Sequence, residues 1–151
     1  MILRSDMIVA SPRAQFGLPE AKRGLYAAAG GLSRLVRLVG ITIASEIAMC
    51  GRTLNAQEAL KYNIANRVSK THESVVDEAV ELACQIADIS PDAIIVTRSG
   101  LREALETASV ERASQLTQEK YGKALSEGEN IMIGLMAFAQ KKKPVWVPSK
   151  L

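Results

Sequence analysis

The stretch Phe16-Gly17-Leu18-Pro19-Glu20-Ala21-Lys22-Arg23-Gly24-Leu25 runs on into Tyr26-Ala27-Ala28-Ala29-Gly30-Gly31-Leu32-Ser33-Arg34-Leu35, and its reading decides the fold. Proline fixes its own φ and disfavours helix in the residue before it, so Leu18 is extended and Glu20 leaves a short apolar strand on a defined path. The alanines beyond carry little side-chain volume and the Gly30-Gly31 pair none, so a ligand or a second backbone can come close as the next helix opens. A carboxylate set against such a low-volume, apolar wall suits general acid or base work. The same residues also describe a surface glutamate in a strand-to-helix turn, and spacing alone leaves both readings open.

Outward from this stretch the pattern is mostly helical. Leu32, Leu35, Val36 and Val39 form an apolar stripe with Arg34 and Arg37 off it, Gly40 stops that helix, and Thr42 caps a short second one through Ala44, Ile47 and Ala48. Asn55 with Glu58 three residues on is a capping-box pattern, opening a helix to about Tyr62. Residues 64–68 read as a short strand, and Thr71 caps a helix whose apolar residues from Val75 to Ala87 give a wide buried face. Its acids Asp77, Glu78 and Glu81 read as a solvated face. Ser90-Pro91-Asp92 combines a cap, a proline at the first position and an acid facing the helix dipole. The helix it starts places Ile94, Thr97, Leu101, Ala104 and Ala108 on one face. A long helix follows over about 110–125, with Ala113, Leu116, Tyr121 and Ala124 inward. A last one starts near Glu129 and carries Ile131, Met132, Leu135, Met136 and Ala139. No internal repeat or low-complexity linker interrupts the chain.

At 151 residues, 48% hydrophobic and 23% charged, the composition is that of one ordinary globular domain with an aliphatic core, aromatics being only 4%. A net charge of +3 suits a phosphorylated small molecule as readily as nucleic acid. His72 is the lone histidine, so neither a histidine-centred metal site nor a Ser-His-Asp triad has support, and no metal is expected. Cys50 and Cys84 lack metal-type spacing and fit a reducing compartment. No apolar run reaches membrane-spanning length, and Met1-Ile2-Leu3-Arg4-Ser5 is too short for a secretory signal. Lys141-Lys142-Lys143 reads as a solvated basic helix end; nothing aromatic interleaves with it, so neither a nucleic-acid nor a membrane partner is expected.

Phe16, Gly17, Pro19, Glu20, Gly24, Gly30 and Gly31 fall where the enoyl-CoA hydratase/isomerase (crotonase) superfamily has a phenylalanine, a glycine, Pro-Glu, a further glycine and a Gly-Gly pair before a helix. The likeness continues through Gly51-Arg52, Asn55-Ala56-Gln57-Glu58-Ala59-Leu60, Ile64-Ala65-Asn66-Arg67-Val68 and Gly134-Leu135-Met136-Ala137-Phe138-Ala139-Gln140-Lys141-Lys142. The chain thus resembles the C-terminal portion of a crotonase. The implied fold is α/β and mostly helical: residues 1–70 form the second half of a spiral core with few short strands, 71–143 a helical oligomerisation region, and 144–151 an extended tail. The resemblance implies an unsaturated acyl-CoA substrate, with CoA part of that substrate and no separate cofactor, and a trimer or hexamer of identical chains. It makes Glu20 the catalytic acid/base, and Pro19, Ala28, Phe138 and Lys141 substrate-binding residues, the last two reaching the CoA adenine and phosphate. Ala27-Ala28 stand where many hydratases have Pro-Gly, so the space beside the substrate's α carbon is narrower here.

The chain ends in Ser149-Lys150-Leu151, a tripeptide that serves as a peroxisomal address read by an import receptor. Pro144 and Pro148 keep the tail extended and accessible. The matrix of the peroxisome is therefore the expected location, and fatty-acid β-oxidation or specialised acyl-chain synthesis the expected setting. In the family, one oxyanion-hole N–H and a second catalytic glutamate lie on a helix that Met1 falls just after. By that resemblance the chain alone supplies Glu20 and is nearly inactive. Two readings stand: an enzyme of the hydratase/isomerase class, or a truncated, non-catalytic paralogue that serves as an assembly subunit.

Overall fold

The computed structural model describes residues 2–151. Within the long helix that spans Val75–Ala87, the chain divides into two compact units, Met1–Leu82 and Ala83–Leu151.

The first unit is built on two small strand pairs. Strands β1 (Val9–Ala10) and β4 (Arg67–Val68) run parallel, with Val9 opposite Arg67 and Ala10 opposite Val68. Asn66 fixes this register: its side-chain oxygen accepts from the Ile8 N–H at 2.8 Å, while its own N–H donates back to Ile8 O at 2.9 Å. Strands β2 (Gln15–Gly17) and β3 (Thr53–Asn55) pair antiparallel, which sets Phe16 against the fully buried Leu54. Helix α1 (Gly31–Met49) carries the rest of the core through Leu35, Ala44 and Ile47. Its two segments are joined at Gly40, whose φ of 76° and ψ of 165° are not helical, so the expected stop is a joint in one element. Helix α2 (Ala56–Lys61) adds Ala56 and Ala59.

The capping box foreseen at Asn55 is present in full. Asn55 Oδ1 accepts from the Glu58 N–H and Glu58 Oε2 from the Asn55 N–H, each at 2.9 Å. Arg52 ties this box to α1, donating to Glu58 and, at 2.8 Å, to Glu46. The Asn55 N–H, followed by Arg52, holds the Glu58 carboxyl below its ordinary pKa. Thr71, expected to cap the next helix, instead exchanges hydrogen bonds with Ser74, the residue just ahead of α3 (Val75–Ala87).

The wide apolar face of α3 is not buried: Val76 is 66% and Val80 54% exposed. The expected apolar faces in the second unit are likewise only partly covered. Leu101 on helix α4 (Pro91–Thr107) is 70% exposed, and in helix α5 (Val110–Thr117) Ala113 is buried. A π-helical turn, Gln118–Gly122, separates α5 from α6 (Lys123–Ser126), where one regular helix was expected. The Gln118 amide lies where a Cβ of residue 122 would stand. In α4 and in α7 (Glu129–Ala139) the buried side chains are polar, Asp92 and Asn130, rather than the methionines and leucines of the apolar stripes.

Those two residues organise the second unit. Asn130 Nδ2 donates to Asp92 Oδ2 at 2.8 Å and to Val147 O at 3.0 Å, and Asn130 Oδ1 accepts from the Val147 N–H at 3.0 Å. The tail is extended, as its prolines dictate, yet it is anchored. Trp146 lies on Gly134, where a Cβ would approach its ring to 3.1 Å, and its Nε1 donates to Asp88 O at 2.9 Å.

Candidate active site

A cavity of about 970 Å³ opens in the first unit, walled by β2, residues 26–31 and the first segment of α1. That is the upper end of the range that takes a small organic ligand. Its lining is mostly apolar or small, with Phe16, Leu18, Leu35 and Ala27 among the walls and Glu20 the acid among them.

Local structure fixes where Glu20 stands. The Phe16–Leu54 pairing anchors β2, and Pro19, with φ −81°, turns the chain out of it. Glu20–Arg23 then form a single 3₁₀ turn, closed by Lys22 N–H to Pro19 O and Leu25 N–H to Glu20 O, both at 3.1 Å. Gly24 ends it with φ 70°. The backbone of Glu20 is thus held at both ends, and its Oε2 is buried without a hydrogen-bond partner. An unpartnered buried carboxylate oxygen loses its hydration for no internal return, and such atoms call for an explanation. Here it belongs to a side chain in a cavity wall, where a bound molecule can supply the missing partner.

The sequence-expected residues separate between the two units. Glu20 and Ala28 line the cavity, and Pro19 sets the turn that presents Glu20. Phe138, 85% exposed at the end of α7, and Lys141, exposed with φ 53°, belong to the second unit, as do Ser149, Lys150 and Leu151. Arg34, set apart from the apolar stripe in the sequence, is half-buried and lines the cavity, with Nη1 donating to Gly30 O at 3.2 Å. The signal was available in the spacing: a residue four places after the helix N-cap can reach back to that cap's carbonyl. Tyr26 and Gln15 also line the cavity without having been singled out. Among the described residues no group of three or more His, Cys, Asp or Glu could hold a metal ion, and no helix is long and apolar enough to cross a membrane.

Residues 1–149 match the family model for enoyl-CoA hydratase/isomerase. The chain belongs to the enoyl-CoA hydratase/isomerase family. Within it, the chain is 44% identical over 151 residues to the mevalonyl-coenzyme A hydratase SIDH of Beauveria bassiana, covering all of this chain and 54% of that protein. It is 39% identical over 149 residues to the carnitinyl-CoA dehydratase of Proteus mirabilis, covering 97% of this chain and 56% of the relative. Among solved structures, an enoyl-CoA hydratase subunit of Geobacillus kaustophilus superposes with a TM-score of 0.89 at 32% identity, over 97% of this chain and 56% of that one. The enoyl-CoA hydratase of Mycobacterium tuberculosis gives 0.88 at 30%, over 97% and 57%. The fold is that of the crotonase superfamily, and the chain spans about half the length of the curated relatives it matches.

Proposed function

We propose that this chain is part of an acyl-CoA hydratase/dehydratase in which Glu20 is a general acid/base. The observation that carries the reading is the buried, unpartnered Oε2 of Glu20 in the wall of the 970 Å³ cavity. In hydration, water adds across the α,β double bond of an enoyl thioester: oxygen joins the β carbon and a proton the α carbon. Elimination of water reverses both transfers. Glu20 exchanges the α proton, taking it in dehydration and returning it in hydration. A positioned acid or base of this kind contributes about 10²–10⁴-fold. The names of the relatives, a mevalonyl-CoA hydratase and a carnitinyl-CoA dehydratase, support a water-adding or water-removing reaction on a short polar acyl group. Arg34, Gln15 and Tyr26 give the cavity the polar points such a group would use.

Phe138 and Lys141 are the proposed contacts for the CoA adenine and phosphate, both exposed. Self-association into a trimer or hexamer is supported by the apolar side chains left open on α7, where Met132, Leu135 and Met136 are each more than half exposed. Ser149-Lys150-Leu151 supports a peroxisomal location.

The test is turnover, followed by the loss of enoyl-thioester absorbance, in whatever assembly carries this chain. Glu20→Gln lowers kcat by about 10²–10⁴-fold with circular dichroism and melting temperature unchanged. Equal turnover in the variant would remove Glu20 from the chemistry and favour a non-catalytic assembly role.

A further inference from the structure

The tail that carries the proposed peroxisomal address is a docked segment. Four contacts hold it to its own helical unit. Lys143 Nζ is 3.0 Å from Asp88 Oδ2, Trp146 Nε1 donates to Asp88 O, Val147 exchanges two backbone hydrogen bonds with the Asn130 amide, and Lys150 Nζ is 2.5 Å from Glu129 Oε1. The first three lie upstream of the final tripeptide, and the third rests on the protein's interior: Asn130 is 1% exposed and is itself braced by Asp92. The last falls within it. Ser149 and Leu151 are half-buried, and Ser149 Oγ accepts from the Leu151 N–H at 3.1 Å.

Receptors that read a chain terminus capture its carboxylate and the side chains just before it in an extended conformation. Lys150 is then wanted by two partners at once. We infer that Glu129 and the import receptor compete for Lys150, so that the address is latched: Asn130 is the fixed hinge, and Ser149-Lys150-Leu151 must swing off the helix to be read. This inference rests on the peroxisomal reading above. The hinge stays closed in both states because its two hydrogen bonds are made by a side chain only 1% exposed, whereas the Lys150–Glu129 pair is exposed on both sides, 79% and 61%, and is readily exchanged. The Glu129 carboxylate, by hydrogen bond first and charge second, raises the Lys150 ammonium above its ordinary pKa.

The experiment compares binding of three ligands to the purified peptide-reading domain of the receptor: the intact 151-residue chain, its Glu129→Ala variant, and a free peptide of residues 144–151. The free peptide is expected to bind, the intact chain more weakly, and Glu129→Ala to recover about two- to fivefold, the range an exposed ion pair supports. Equal affinity of intact chain and free peptide, or no gain from Glu129→Ala, overturns the latch and leaves the address standing. Failure of the free peptide to bind overturns the address itself. Asn130→Ala, which frees the whole tail, is the second variant; a gain there without one in Glu129→Ala would assign the restraint to the hinge and overturn the role of Glu129.

Discussion

Among the described residues, two carboxylates have a buried oxygen with no hydrogen-bond partner, Glu20 Oε2 in the first unit and Asp92 Oδ1 in the second. They are otherwise unlike. Asp92 is 5% exposed, and its other oxygen takes the Asn130 amide that clamps the tail. It stands at the start of a 17-residue helix, behind a serine cap and a proline, where the helix dipole favours negative charge. Glu20 sits on a single 3₁₀ turn at the edge of a cavity large enough for a ligand. An orphaned oxygen alone does not mark a site. The space in front of it separates the two, and it is the ground on which Glu20, and not Asp92, is proposed to meet a substrate.

This contrast is open to attack by substitution. The largest effect expected is the loss of turnover in Glu20→Gln, with stability untouched. Asn130→Ala should do the reverse. It strips Asp92 of its partner and frees both backbone groups of Val147, costing about 1–3 kcal/mol for each buried group left unsatisfied, with kcat per folded molecule unchanged. Thermal melts read beside activity separate the two, and a variant that lost both in proportion would erase the distinction. Gly134→Ala probes the tail more gently. A methyl group there would come within 3.1 Å of the Trp146 ring, which must give way at about 1 kcal/mol. Trp146 is the only tryptophan, so a shift in its emission reports the displacement directly.

The smallest effects lie at the Asn55–Glu58 box. Asn55→Ala should cost about 1 kcal/mol in a denaturant titration, the usual worth of an N-cap. Because the Glu58 carboxyl is held below its ordinary pKa, its contribution is complete above the unfolded glutamate value of about 4.3 and is lost as pH falls through the lower folded value. A stability–pH profile should therefore drop on the acid side, and Glu58→Gln should flatten that drop. An unchanged slope would mean that the Asn55 N–H and Arg52 do not hold the carboxylate in solution.

The crotonase fold and family were legible because the deciding signals are local. A Pro-Glu turn, a Gly-Gly helix start, a capping box and a Ser-Pro-Asp start each fix a few residues by short-range sterics and hydrogen bonding, and each is found where the sequence puts it. What was not legible depends on neighbours. Periodicity gave α3 a broad apolar face and α4 an inward Leu101, yet Val76, Val80 and Leu101 are all more than half exposed. A stripe records that a face is apolar; it does not say what covers it. Conversely, nothing in the sequence singled out Asn130, and it is 1% exposed because its amide matches the Val147 backbone 17 residues away. Arg34 was read only as lying off the apolar stripe; its reach to Gly30 O, which brings it into the cavity wall, was not foreseen.

The joint at Gly40 has a consequence for how this site can vary. In an unbroken α-helix each residue turns the next by about 100°, so the direction of Leu35 would dictate those of Ala44 and Ile47. A residue with φ 76° and ψ 165° between them resets that phase. Leu35 before the joint and Ile47 after it both line the cavity, so the two halves of its wall are aimed independently of one helical phase. Side chains on one half can change without imposing a new direction on the other.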